Sequence, residues 1–183
     1  MTFLLLIGAD AAISSTQKRS PTQLYRELRT TPFAPATVHG RFGSAARSVV
    51  APSASARRHH AIGTVRIMFG RGQGTIDYTV FRSHTSAVNT WYDDVTAATT
   101  ALNFKARLRV YGLTSPNVLY LGSCTSNAST IDDCSSFVST ASFVTGTIKV
   151  DVSIAVLGQE AMYDHSAAMS LARAANTHLR RLS

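Results

Sequence analysis

Cysteine is nearly absent: only Cys124 and Cys134 occur in a chain of 183 residues. That excludes a disulfide-dense scaffold and the four-cysteine zinc sites. Acidic residues are also scarce, ten against eighteen Lys and Arg. Charged side chains make up 15% of the sequence and apolar ones 45%, which excludes a wholly disordered chain. No apolar run approaches the roughly 20 residues that a membrane-spanning helix needs. There is no Gly-x-Ser-x-Gly elbow, so a Ser-His-Asp hydrolase has no local signature. None of the six histidines stands in a catalytic or metal-ligating set, and nothing in the pattern requires a cofactor.

The basic excess is unevenly placed. Residues 1–61 hold eight basic and two acidic side chains, whereas residues 62–183 hold ten and eight. The excess thus lies on a segment without apolar periodicity, which argues against specific nucleic-acid recognition by the folded part. Phe3 to Ile7 is a short apolar run, and Ala9-Asp10-Ala11 has the small-x-small form of a signal-peptidase site. Residues 1–12 are therefore a candidate signal peptide, although no basic residue precedes the run. A buried N-terminal strand or a start assigned too late are the competing readings.

Cys124 and Cys134 enclose nine mostly polar residues. In an oxidising compartment such a pair closes a loop, worth roughly 2.5–3 kcal/mol in the chain-entropy account. Asp132 and Asp133 disfavour a reactive thiolate at Cys134, and no histidine lies close enough to complete a metal site. A structural disulfide is the expectation. Asn127-Ala128-Ser129 also matches the glycosylation sequon.

Within residues 13–60, Ser20-Pro21 opens a short helix carrying Leu24 and Leu28 on one face, and Thr30-Thr31-Pro32 closes it. From Phe33 to His60 the chain is rich in Ala, Ser, Pro and Arg and reads as a connector. The domain proper is expected over 61–183. It begins with alternating runs at Thr64–Phe69 and Thr75–Arg82 around Gly70-x-Gly72-x-Gly74, a hairpin. A strand rather than a helix follows those glycines, which argues against a phosphate loop. Val88, Trp91, Val95, Ala98 and Leu102 mark an amphipathic helix over about 85–102. Strands are expected at 106–111, 117–121 and 147–156, and a final Ala-rich helix over about 159–182. The fold class is therefore α+β: a two-layer, twisted, mainly antiparallel sheet with two helices packed on one face.

Asp93 and Asp94 read as a solvated helix face, and His178 as exposed. His165 lies near the edge of the final helix's apolar stripe, with a partly buried structural role. Tyr78 and Trp91, between the first domain helix and the sheet, fit ordinary core packing. Together with His165 they are also the one candidate ligand pocket, since such pockets are aromatic-lined with few polar groups.

Gly63-x-Val65-x-Ile67, Ile76-x-Tyr78-x-Val80-Phe81, the cysteine pair and the closing His178-Leu179-Arg180-Arg181-Leu182 resemble small exported actinobacterial proteins of uncharacterised function. The resemblance covers about residues 60–182. It implies export and a disulfide, and brings no activity with it. The expectation is an exported, non-catalytic domain that binds a small ligand or a cell-envelope protein. The alternatives are a small secreted hydrolase-like enzyme with a site assembled from distant residues, and a basic-tailed binder of anionic lipid or nucleic acid.

Overall fold

The structure, a computed structural model, describes residues 19–33, 41–70, 74–101, 106–108, 110–124, 136–157 and 165–182. Helix α1 (Pro21–Thr30) starts where its chemistry directs. Ser20 Oγ accepts from the Gln23 N–H at 3.3 Å, and the Gln23 side chain accepts from the Ser20 N–H at 2.8 Å, a reciprocal capping box. It ends at Thr31, because the residue before Pro32 is held out of the helical region.

Strand β1 (Ala45–Val50) and helix α2 (Ala54–Arg58) follow, then β2 (Ala61–Phe69), β3 (Gly74–Phe81) and α3 (His84–Ala101). The chain continues through β4 (Ala106–Leu108), β5 (Asn117–Cys124), β6 (Ser136–Thr145), β7 (Ile148–Leu157) and α4 (Ser166–Leu182). Seven strands form one sheet in the order β1-β2-β3-β7-β6-β5-β4, and every described pairing is antiparallel. After β3 the chain crosses to the far edge and meanders back, so that β7 pairs with β3 at the centre. No described helix is long and apolar enough to cross a membrane.

The α+β class and the antiparallel sheet are as expected; the placement of the helices differs. One face carries Ile67, Tyr78, Val150 and Val152 and is covered by α1 and α4, through Leu28, Leu171 and Ala175. The other face carries Phe81, Val118 and Val144 and is covered by α2 and α3, through Ala56, Trp91 and Val95. The two expected domain helices thus lie on opposite faces instead of sharing one. The polar parity of β7, which reads as wet, is the reason: its Lys149 and Asp151 lie under α3 and are neutralised there.

The segment expected as a connector is also built into the fold. Residues 45–50 extend the sheet by pairing with β2, from Ala45 opposite Phe69 to Val50 opposite Thr64. Leu28 and Phe33, ahead of that strand, are buried in the main core. Residues 159–164, expected in the last helix, lie outside the described residues.

Gly63 marks where α1 docks. It adjoins an irregularity in the β2–β3 register, and a Cβ there would overlap the outer ring atoms of Tyr25. Gly63→Ala is expected to push that ring aside and cost about 1–3 kcal/mol. In a double-mutant cycle read by urea unfolding, Tyr25→Ala in the same background should recover part of the loss. Additive losses would mean that the two positions do not compete for space.

Candidate functional site

The register that builds the sheet also lays two polar rows across its α3 face. In one row Arg66 stands opposite Asp77, Asp77 opposite Asp151, and Asp151 opposite Ser142. In the next, Thr64 stands opposite Thr79 and Thr79 opposite Lys149. Because side chains alternate along a strand, all seven project to the same side. Each β-strand contributes only one or two of them.

The contacts follow the rows. Arg66 holds Asp77 with two parallel bonds, Nε to Oδ1 at 2.7 Å and Nη2 to Oδ2 at 2.6 Å. Lys149 Nζ lies 2.5 Å from Asp151 Oδ2 and 2.8 Å from Asp94 Oδ2 on α3. Ser142 Oγ donates to Asp151 Oδ1 at 2.7 Å, and the Thr64 and Thr79 hydroxyls bond each other at 3.0 Å. Burial alone would lower the Lys149 pKa. Asp151 and Asp94 outweigh it and hold the ammonium above its ordinary value, so Lys149 is charged.

Above these rows is a pocket of about 230 Å³, walled by Val50, Ser53 and Ala56 on one side and by Thr90 and Asp94 on the other. It would hold about seven or eight waters at liquid density. Helix α2 forms its rim, started by Ser53, whose Oγ accepts from the Ala56 N–H at 3.1 Å. At its far end, His59 Nε2 meets Asp93 Oδ2 of α3 at 2.9 Å, with Arg58 Nη2 at 3.7 Å from the same oxygen. The His59 contact, with help from Arg58, lowers the Asp93 pKa. Asp93 and Asp94, read from sequence as a solvated face, therefore act in different directions. Asp93 ties α3 to α2, and Asp94 reaches down to Lys149.

The residues singled out from sequence are not brought together. Tyr78 is buried beneath α4 and Trp91 in the cluster on the opposite face, so the sheet itself separates them. His165 precedes the first turn of α4, and its carbonyl accepts from the Met169 N–H at 3.0 Å. Tyr78 instead neighbours His178, at 6.2 Å between ring centroids, thirteen residues further along and so about 20 Å from His165 along the helix axis. The aromatic pocket expected from Tyr78, Trp91 and His165 is not formed. His84 Nδ1 bonds the Gly146 carbonyl at 2.6 Å. Cys134 and the side chain of Cys124 lie outside the described residues.

His178, expected to be exposed, packs edge-on against Phe33 at 5.1 Å. Burial, with Arg47 and Arg181 near by, lowers its pKa and favours the neutral ring. Among the described residues, no group of three or more His, Cys, Asp or Glu side chains is arranged to hold a metal ion. The Lys149 pocket has no local sequence signature, because its five charged groups are scattered over 86 positions, from Arg66 to Asp151. The charged residues at the polar positions of β2, β3 and β7 were the available signal.

No protein-family model matches the chain, and no curated protein matches it. Among solved structures its fold resembles the extracellular domain of PknH from Mycobacterium tuberculosis. That match has a TM-score of 0.49 and 7% identity, and covers 82% of this chain and 95% of the other.

Proposed function

We propose that the chain is an exported, non-catalytic binding domain whose Lys149 pocket takes a small, neutral, polyhydroxylated ligand. The observation that carries this reading is the placement of Asp77 directly opposite Asp151. Like charges facing each other across two strands destabilise a sheet. Here the pair is kept, each carboxylate tied to its own cation, on the floor of a pocket rather than under a sealed core. Two cations face three carboxylates, and Lys149 is shared by two of them, leaving no free cation in the lining among the described residues for an anionic ligand. The pocket offers carboxylate oxygens and the Thr90 hydroxyl oxygen, whose proton goes to the Ser86 carbonyl, as acceptors, and the Ser53 hydroxyl and the bonded Thr64–Thr79 pair as both donors and acceptors. Such a lining suits hydroxyl groups on the ligand.

The test is an NMR titration of the full chain with glucose as probe and sodium acetate as anionic control. Glucose should shift the amides of Thr64, Thr79, Thr90 and Lys149, and acetate should not. Thr64→Val combined with Thr79→Val removes both members of a bonded pair in shape-conserving fashion, which is nearly neutral for stability. It should abolish the glucose response with the fold intact. A flat titration at millimolar probe, or equal shifts with acetate, would sink the polyol reading.

The hydrolase alternative draws on the same Asp77–Asp151 pair, since glycoside hydrolysis uses two carboxylates. Turnover of a nitrophenyl glycoside, lost in Asp151→Asn, would establish it over simple binding. Export and the Cys124–Cys134 disulfide are supported by the leader-like residues 1–12 and the cysteine spacing. Intact mass of the native protein, before and after reduction, reads both at once: loss of the leader, and a gain of about two mass units as one S–S bond becomes two thiols.

A further inference from the structure

The face opposite the Lys149 pocket carries a cation with no carboxylate to match it among the described residues. Arg47, on the edge strand β1, turns its two terminal nitrogens to the end of α1, donating to the Arg29 carbonyl at 3.0 Å and to the Thr31 carbonyl. Its Nε is buried and has no hydrogen-bond partner among the described residues. Among them Arg47 also has no ion pair, and the seven residues that separate Phe33 from Arg41 include no Asp or Glu. A half-buried guanidinium is costly to keep without an anion beside it.

Arg47 forms the polar end of an otherwise apolar groove of about 380 Å³, lined by Pro32, Phe33, Ala45, Ala46 and Ile67. A second unused donor lies behind the same wall. The Tyr78 hydroxyl is fully buried and has no partner among the described residues, and its ring stands 6.5 Å from that of Phe33. The charges acting on the neighbouring His178 are Arg47 and Arg181, both positive. A buried donor without an acceptor is costly, so two beside one cation and one groove call for an acceptor from outside.

We propose that this groove binds a small aliphatic carboxylate, its tail along Phe33, Ala45 and Ile67 and its carboxylate at Arg47 within reach of the Tyr78 hydroxyl. The site is independent of the polyol pocket, because the sheet lies between them.

The test is calorimetric titration of the full chain with sodium hexanoate, and with 1-hexanol as the neutral counterpart. Hexanoate should bind at least about tenfold more tightly than hexanol, the margin of one charge-assisted bond. Arg47→Gln should remove that margin. Arg47 also caps α1, so Tyr78→Phe is the second variant: it should weaken hexanoate several-fold while leaving thermal stability equal or raised, since it deletes an unpaired hydroxyl. The Thr64→Val, Thr79→Val protein should bind hexanoate normally, which separates this site from the one on the other face. No hexanoate binding, equal binding of hexanol, or hexanoate affinity unchanged in both Arg47→Gln and Tyr78→Phe would each overturn the proposal.

Discussion

Lys149→Met is expected to destabilise the protein by about 3 kcal/mol, at the lower edge of what removing one partner from a buried ion pair costs. The residue is 4% exposed and is the only cation within bonding distance of both Asp94 and Asp151 among the described residues. Methionine fills much of the same volume, so the loss reports charge rather than a cavity. The penalty stays moderate because the two carboxylates are 35% and 28% exposed and can draw on water once the ammonium is gone. Adding Asp151→Asn should return part of the loss, since it removes one of the stranded charges facing Asp77.

The pH dependence has a definite sign. The folded-state pKa of Lys149 lies above its ordinary 10.5. The folded protein therefore holds that proton more tightly than the unfolded chain does. Stability from the pair is complete below pH 10.5 and is lost as pH rises through the folded value. Urea unfolding in that alkaline range should show wild type losing stability that Lys149→Met never had. Parallel profiles for the two proteins would contradict a charged Lys149 held by its neighbours.

The elements read correctly from sequence are those whose burial is one-sided and local. Strand β7 alternates Ile148, Val150, Val152 and Ile154 with polar residues, and α1 carries its own start signal in Ser20 and Pro21. Strand β6 was not foreseen, because both of its faces are covered: Ser139, Ala141, Ser142, Phe143 and Val144 are all buried, and period two disappears from the sequence. Strand β1 was not foreseen because Ala-Ala-Arg-Ser-Val-Val has little apolar contrast, and its order comes from pairing with β2. With Phe33 and β1 placed outside the domain, nothing covered His178, and it read as exposed.

The Lys149 pocket was illegible for a different reason. Its rows exist only once β2, β3, β7 and β6 are in register, and each strand alone shows nothing more than polar residues on a wet face. Trp91, by contrast, is legible as a buried helix position, but its companions are not. The pattern around it fixed its helix face correctly, while the side of the sheet that α3 covers depends on a long connection with no local signal.

That side determines the second large effect. Trp91 is 2% exposed within a cluster whose other buried members are Ala56, Phe81, Ala87, Val95, Val118 and Val144. It is the largest side chain there, and Ala56 belongs to the helix that rims the pocket. Trp91→Ala is expected to cost roughly 3–5 kcal/mol, the range for deleting a buried aromatic, because small neighbours such as Ala56 and Ala87 cannot collapse into the space. Trp91→Phe should cost only about 1–2 kcal/mol: it retains a ring and removes an indole N–H that is buried without a partner among the described residues. Circular dichroism is the readout for urea unfolding, since both variants lack the chain's single tryptophan.

Hydrogen exchange gives the loss a location. Amides in α2 and α3 should exchange faster in Trp91→Ala, whereas those of α4, packed on the other core, should keep their protection relative to global unfolding. The Lys149–Asp94 contact spans this loosened boundary, so the variant should also admit water to the pocket floor. If α2, α3 and α4 lost protection in equal measure, the two cores would be one cooperative unit. The Lys149 pocket would then have no separately movable wall.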